Sequence, residues 1–166
     1  MPHIFRSFLT FPIVLFLAAC GSYDFTINEK LVYTPKPLFS DYTATDTALQ
    51  SCLEQAVAEA KATRAADLEI LNCAHAGITD LEGLEVFSGI SRLKLSSNAL
   101  TSIAPLAALS NLEVLHLDNN QIVDLRPLLE LQVLRELNLS DNSDLLCSSA
   151  AGLIAIETVT LPKHCL

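Results

Sequence analysis

The stretch of this chain with the most chemistry in its side chains is residues 115–122, LHLDNNQI. Imidazole, carboxylate and amide groups are the ligands of metal sites and the acids and bases of hydrolases. His116 and Asp118 form the best candidate pair, because residues two apart on a strand point to the same face. No nucleophile or third group accompanies them. Whether this stretch serves chemistry or architecture therefore depends on the elements that carry it.

Other sites of chemistry have little support in the sequence. None of the cysteines forms a C-x-x-C pair, and His164 beside Cys165 lacks matching ligands at metal spacing. A Gly-rich phosphate loop is not present among only 5 glycines. The formal charge of -9 argues against nucleic acid, whose phosphates attract cations. We expect no catalytic residue, no metal, no small-molecule substrate and no nucleic-acid partner, and a hydrolase is the least favoured function.

A repeat of 22 residues places LHLDNNQI within a larger pattern. Five segments align without a gap, and their first residues are Leu68, Ile90, Leu112, Leu134 and Ile156. The first, fourth and sixth positions of every segment are apolar. The ninth position of the three central segments is asparagine: Asn98, Asn120 and Asn142. The pattern L-x-x-L-x-L-x-x-N is that of the leucine-rich repeat.

This repeat predicts an α/β fold, a short right-handed leucine-rich-repeat solenoid with a parallel concave sheet. A single repeat cannot bury its own leucines, so successive strands stack side by side over one continuous core. The asparagine amides can donate to and accept from backbone groups that leave the strands. The 22-residue period and the prolines Pro105 and Pro127, which precede the returning segments, resemble those of bacterial internalin-like proteins. The resemblance covers residues 68–166.

The two ends of the solenoid need caps. Apolar residues at helical spacing from Leu49 to Ala60 predict a helix over residues 47–61, which Thr47 and Gln50 can begin as a capping box. The helix stripe contains Cys52, and we predict disulfides in the pairs Cys52–Cys73 and Cys147–Cys165, the second closing the C-terminal end. In the second pair, Cys147 falls at a position that is inward-facing in earlier repeats. The alternative is two buried free thiols and two incidental ones.

The first residues, MPHIFRSFLTFPIVLFLAACGS, contain an apolar run that is too short to span a bilayer and is typical of a signal peptide. Its end, from Leu17 to Gly21, resembles the lipobox of bacterial lipoproteins. That resemblance implies cleavage after residue 19 and a covalent lipid on Cys20, with no other cofactor, and Gly21 and Ser22 favour the outer membrane of a Gram-negative cell. The alternative is an ordinary buried helix with a chance cysteine.

The sequence therefore divides into a signal peptide (1–19), a lipidated N-terminus and tether (20–44), a helical cap (45–67) and the repeats. The repeats span residues 68–89, 90–111, 112–133 and 134–155, with a partial repeat over 156–166.

Strand positions that point away from the core form the predicted concave face of the sheet. The residues that we expect to bind a partner there are Arg92, Lys94, Val114, His116, Asp118, Glu136 and Asn138. The function predicted is protein binding by a lipid-anchored envelope protein, and by resemblance to internalins the partner could be a host surface protein. Two alternatives stay open: a merely solvated sheet face, and a structural or scaffolding lipoprotein of the envelope.

Overall fold

The computed structural model describes residues 25–27, 30–33 and 36–166, so the predicted signal peptide and Cys20 lie outside the described residues. The chain divides into two units, Met1–Pro37 and Leu38–Leu166. In the first unit, strands β1 (Phe25–Ile27) and β2 (Lys30–Tyr33) pair antiparallel within the segment predicted as a tether. Among the described residues, no helix has both the length and the apolar character needed to cross a membrane.

The second unit contains a parallel sheet of five strands in chain order. The strands are β3 (Ile70–Asn72), β4 (Arg92–Lys94), β5 (Val114–His116), β6 (Glu136–Asn138) and β7 (Thr158–Thr160). Each residue pairs with the residue one repeat later, as in the row Leu71, Leu93, Leu115, Leu137 and Val159. The 22-residue period is thus the register of the sheet, and the predicted fold class is confirmed.

Short 3-10 helices precede β3, connect each strand of this sheet to the next and follow β7. They span Ala65–Asp67, Leu84–Val86, Ala104–Ala108, Arg126–Glu130, Cys147–Gly152 and Lys163–Cys165. Pro105 and Pro127 lie in the first turn of two of them, where proline's missing N–H removes no helical hydrogen bond. Most leucines and isoleucines of the strands and returning segments form one buried core, and exceptions such as Ile70 and Leu129 are exposed. A continuous core of this kind is what stacked repeats require.

The predicted cap is helix α1 (Thr47–Ala60). Its buried side is formed by Leu49, Leu53 and Val57. The expected capping box from Thr47 was wrong. Asp46 is the N-cap, and its Oδ1 accepts hydrogen bonds from the N–H groups of Ala48 and Leu49 at 2.8 and 3.1 Å. A carboxylate both accepts these bonds and interacts favourably with the helix dipole, so it is preferred over a neighbouring hydroxyl.

The packed unit begins at Leu38, before the cap boundary predicted at residue 45. Phe39, Tyr42 and Phe87 form an aromatic cluster with ring centroids 4.9 to 5.8 Å apart. Gly83 lies so close to this segment that a Cβ there would be 2.3 Å from the carbonyl oxygen of Thr43. Residues 38–44 therefore belong to the capped end of the solenoid.

Both predicted disulfides are present in the structure. Cys52 of α1 is bonded to Cys73 just after β3, with 5.9 Å between the Cα atoms, and Cys147 is bonded to Cys165 with 5.3 Å between them. The inward position expected for Cys147 was wrong, because this residue is exposed and Leu145 is buried nearby. Cys147 begins the 3-10 helix Cys147–Gly152, in which no residue is buried.

Candidate interaction surface

The residues of LHLDNNQI differ in burial. Leu115, Leu117 and Ile122 are fully buried, and the side chain of Asn120 is 5% exposed. The polar residues of this stretch that contact solvent are His116, Asp118, Asn119 and Gln121. The buried asparagine belongs to the architecture, and the remaining polar residues belong to the surface.

Asn98, Asn120 and Asn142 bind the backbone in one repeated arrangement. The Asn120 amide nitrogen donates to the carbonyls of Leu95 and Leu117, both at 3.0 Å, and its oxygen accepts from the N–H of Leu100 at 3.1 Å. Each repeat forms one coil of the solenoid, made of a strand and its returning segment. Asn98 and Asn142 bind the corresponding backbone atoms of their own and adjacent coils. Each amide thus satisfies backbone groups of two successive coils.

In the first four repeats, the residue before the ninth position has a left-handed backbone. The φ angles are 58° for His75, 58° for Ser97, 55° for Asn119 and 58° for Asp141. A non-glycine residue in this region is uncommon, and asparagine, aspartate and histidine tolerate it best. These residues turn the chain out of the strand. The sequence placed them at the edge of the concave face without revealing this role of their backbone.

Outward side chains of the five strands form two rows across the concave face. The first row is Ile70, Arg92, Val114, Glu136 and Thr158, and the second is Asn72, Lys94, His116, Asn138 and Thr160. Asp118 lies just beyond the second row. All seven residues predicted to bind a partner therefore lie on this face or at its edge, although the binding role itself stays a prediction.

Hydrogen bonds within the face hold some of these residues. Asp118 Oδ1 accepts from the Ser96 hydroxyl at 2.7 Å and from the Asn138 amide at 3.1 Å. The Asn138 oxygen accepts in turn from the Ser140 hydroxyl at 2.9 Å. Because these bonds join three successive coils, Asp118 and Asn138 stabilise the surface and are less available to a partner.

His116 does not form the pair with Asp118 that a hydrolytic site would use. Its Nε2 atom lies 3.3 Å from Glu136 Oε1, on the neighbouring strand. No hydrogen bond joins the His116 and Asp118 side chains in the part of the chain that the structure describes. The geometry therefore gives no support to a catalytic role for this pair.

Arg92 and Lys94 on the concave face form no ion pair, whereas the other arginines among the described residues do. Arg64, Arg126 and Arg135 each form an ion pair, with Asp67, Asp124 and Glu113 respectively. Within the described residues, neither Arg92 nor Lys94 has a carboxylate partner within 4.0 Å.

Two hollows adjoin at the N-terminal side of the sheet. The first, of about 220 Å³, lies over β3, β4 and β5 and is lined by Ile70, Arg92, Lys94, Val114 and His116 among others. The second, of about 330 Å³, lies between α1 and β3, where Gln55, Glu59 and Asn72 line it. Ile70 borders both hollows and is 63% exposed. The cap thus extends the surface beyond the strands, a contribution that no single motif in the sequence indicates.

At the opposite end, His164 does have neighbouring metal-ligand types, contrary to the expectation from spacing. One ligand atom each of Cys147, His164 and Cys165 lies within 4.8 Å of the others. Folding brings Cys147 there from a different coil, which sequence spacing does not show. Both sulfurs are used in the disulfide, and His164 Nε2 lies 3.1 Å from the Leu145 carbonyl oxygen. The oxidised chain therefore leaves His164 as the single ligand of this group.

Comparisons with known proteins agree with this architecture. Leucine-rich repeats, in two copies, match residues 88–130. An internalin from Listeria monocytogenes superimposes with a TM-score of 0.61 and 25% identity, over 71% of this chain and 36% of that chain. A leucine-rich-repeat protein from Leptospira interrogans gives a TM-score of 0.51 and 25% identity, over 58% of this chain and 26% of that chain. A search of curated protein sequences finds no match.

This chain contains leucine-rich repeats and is structurally similar to internalin-type proteins of bacteria. It spans about a third of the length of the similar internalin. Leucine-rich-repeat proteins generally mediate protein–protein interaction, and their stacked coils provide extended concave surfaces for it. Two disulfides together with internalin-like neighbours indicate an exported protein.

Proposed function

We propose that this protein is a lipid-anchored component of the bacterial envelope that binds a protein partner through its concave face and the adjoining rim. The observation that carries the proposal is the concave face itself, where two rows of outward side chains present charged, polar and aliphatic groups side by side. Such a mixture permits both apolar contact and charge recognition.

Anchoring rests on the sequence before the described residues. Cys20 follows Leu17, Ala18 and Ala19 at the end of an apolar run, as in a lipobox. An N-acyl chain and a diacylglyceryl group on this cysteine would together give stable membrane attachment, whereas a single acyl chain binds only marginally. We place the protein at the outer membrane of a Gram-negative cell because Gly21 and Ser22 follow the cysteine.

The size of the surface limits the affinity. Five strands spaced about 4.8 Å apart span roughly 20 Å. A standard interface buries about 800 Å² on each partner, which is more than the strands alone offer. The hollow between α1 and β3 lies where a partner can extend its contact onto the cap. We therefore expect weak binding, or binding within a larger assembly.

A scaffolding role in the envelope is the second candidate. The hydrogen-bonded group around Asp118 satisfies its polar atoms within the protein, and the two rows contain no tyrosine or tryptophan of the kind that usually dominates binding energy. In that case the concave face is a solvated surface and the contacts of the protein lie elsewhere.

Crosslinking in intact cells, followed by affinity recovery and mass spectrometry, tests the proposed function. A photoreactive residue at position 114, in the first row, should capture a protein partner, whereas one at exposed position 129, outside the two rows, should not. Combined changes of Arg92, Lys94, His116 and Glu136 to alanine should abolish recovery while the folded structure persists. Undiminished recovery would show that the concave face is not the binding surface.

The anchor is tested separately by metabolic labelling with radioactive palmitate. The unchanged chain should become labelled and fractionate with outer membranes. Cys20→Ala should lose the label, and Cys52→Ala should keep it, because that cysteine is in a disulfide in the folded domain. Label that persists in Cys20→Ala would refute the anchor.

A further inference from the structure

Arg92 and Lys94 are uncompensated cations in an acidic chain. The protein has a formal charge of -9, and the other three arginines of the described residues each pair with a carboxylate. Both side chains leave the same strand, β4, on the exposed side. Two neighbouring cations with no internal partner repel each other, and an anion bound between them would relieve that repulsion.

Their neighbours are aliphatic on one side and polar on the other. Arg92 lies between Ile70 and Val114 in the first row, and Lys94 lies between Asn72 and His116 in the second. Together these residues line the hollow of about 220 Å³. An anion paired with Arg92 would therefore be partly shielded from water by two aliphatic side chains, which strengthens the electrostatic attraction.

We propose that this hollow binds an extended acidic segment of a protein partner, with two carboxylates on residues two apart and an aliphatic side chain beside them. The inference rests on the proposed function and assigns the chemistry of its partner. Residues two apart on β4 are separated by about 6.6 Å, which equals the repeat between same-face side chains of an extended peptide. One carboxylate can bind the Arg92 guanidinium in bidentate fashion, and the next reaches Lys94.

A protein segment fits the hollow better than a phosphate-rich surface. Glu136 lies one strand beyond Val114 in the same row, and the chain as a whole is strongly negative. A membrane of anionic lipid or a nucleic acid presents negative charge over a wide area and would meet this carboxylate as well. Contact with the exposed Ile70 and Val114 additionally favours a ligand with an apolar side chain next to its charges.

Fluorescence anisotropy with the purified full chain tests the proposal. The probe is a fluorescein-labelled peptide, Gly-Leu-Ser-Glu-Ser-Glu-Ser-Gly, whose leucine and two glutamates share one face when the peptide is extended. The matched control replaces both glutamates with glutamine. The protein should bind the acidic peptide and lose about tenfold or more of its affinity for the glutamine peptide. Salt should weaken binding of the acidic peptide only.

Variants locate the site. Arg92→Glu/Lys94→Glu should reduce affinity for the acidic peptide by about tenfold or more, and Ile70→Ser by a smaller factor. Lys61→Glu/Arg126→Glu, at exposed positions outside the two rows, makes the same change in net charge and should leave binding unchanged. Equal affinities for the two peptides, or an equal effect of both double variants, would overturn the proposal.

Two further measurements separate the possible outcomes. Glycerol 3-phosphate, which carries the charge of a lipid headgroup, should displace the peptide only at much higher concentration than unlabelled peptide; displacement at equal concentration would assign the site to lipid and overturn the proposal. Cellular crosslinking that persists in Arg92→Glu/Lys94→Glu but fails in Glu136→Ala would leave the proposed function standing and refute this inference. Absence of any captured partner would instead refute the proposed function.

Discussion

The side-chain amide of Asn120 donates a hydrogen bond to the carbonyl oxygen of Leu95, which lies 3.0 Å away and 25 positions earlier in the chain. A second bond from the same nitrogen reaches Leu117, within its own coil. The amide thus links two coils next to the backbone bond in which the Ser97 N–H donates to the Asp118 carbonyl at 2.8 Å. Stability of the solenoid should depend on this link more than on any polar group of the surface.

Replacement of Asn120 with alanine should lower the free energy of unfolding by about 3 kcal/mol, because it leaves two carbonyls and one N–H unpaired in the core. Urea denaturation followed by circular dichroism measures the loss. The control is Asn111→Ala, an exposed asparagine whose amide donates to the Ser88 carbonyl at 2.9 Å, where water can replace the bond. A similar loss in both variants would contradict a special role for the buried ladder.

Removal of either disulfide by paired alanine substitution should destabilise the protein by about 3 kcal/mol. The loss should be larger for Cys52 and Cys73, since Cys73 is buried and its side chain also contributes to packing. Urea denaturation of each paired variant measures the change. Peptide mapping of the unreduced protein should yield the two crosslinked pairs and no other. A crosslink between Cys73 and Cys147 would refute the model in which each disulfide closes one end.

Asp46 should make the stability depend on acid pH. Burial raises the pKa of this carboxyl group, but hydrogen bonds from the N–H and hydroxyl of Thr79 and from the N–H groups of Leu49 and Ala48 outweigh it and lower the pKa to about 2. Because the folded pKa lies below the ordinary value of 3.8, the stabilisation is present above that pH and is lost as the pH falls towards 2.

Unfolding measured between pH 5 and about 2 checks this dependence. In Asp46→Asn the decline in stability at acid pH should be shallower than in the unchanged protein. Asp41→Asn, at an exposed position, provides the comparison and should retain the steeper decline. Identical curves for the two variants would show that Asp46 does not contribute.

Alanine substitutions at Gly77 and Gly83 test whether residues 43 and 44 pack against the first coil. Both have positive φ, 78° and 99°, so alanine is strained at either position. A Cβ at Gly77 would meet no atom within 4 Å, whereas one at Gly83 would approach the Thr43 carbonyl oxygen and the Ala44 Cα at 2.3 and 2.8 Å. Gly77→Ala should cost about 1 kcal/mol.

Gly83→Ala should cost about 2 kcal/mol more than Gly77→Ala, because the backbone of residues 43 and 44 must also move. Thermal and urea denaturation of the two variants provide the comparison. Equal destabilisation would mean that the segment before α1 is not packed against this coil in solution.

The 22-residue period made most of the fold readable from the sequence. Leu71, Leu93 and Leu115 pair in one row because a repeated coil has one register, and the same repeat assigned the ninth-position asparagines to a common place. Cys52 could be matched with Cys73 because both fall on predicted inward positions at the same end. Periodicity predicts which residues share a layer, and such residues are also neighbours in the sheet.

Features without a period could not be predicted in this way. Phe39 and Tyr42 precede α1 in a segment with no regular spacing, so their contact with Phe87 gave no signal in the sequence. Cys147 is exposed because it lies in the 3-10 helix Cys147–Gly152, which buries no residue, whereas the corresponding helices of earlier repeats do. The ion pair between Arg135 and Glu113 was also unreadable, since folding brings these residues together from positions 22 apart in the sequence.

The sequence predicted which surface the candidate site residues lie on, but it did not predict the contacts that they make. The alternation of strand residues placed His116 and Glu136 on the same surface, but their proximity depends on side-chain conformations that the repeat does not specify. Asp118 is predicted to contact a partner, and its Oδ1 also accepts bonds from Ser96 and Asn138, which the repeat did not indicate. Hydrogen bonds between coils compete with binding for the same polar groups.

The uniform register of the sheet also makes each coil interchangeable with its neighbours. The strands β4, β5 and β6 are related by the same shift, and the backbone bonds between them recur, as in Leu95 to His116 and Leu117 to Asn138. A second copy of residues 112–133 inserted after residue 133 would keep every row aligned. Unequal recombination within the gene can therefore lengthen this protein by whole coils, and its surface can diversify one strand at a time while the ends stay closed.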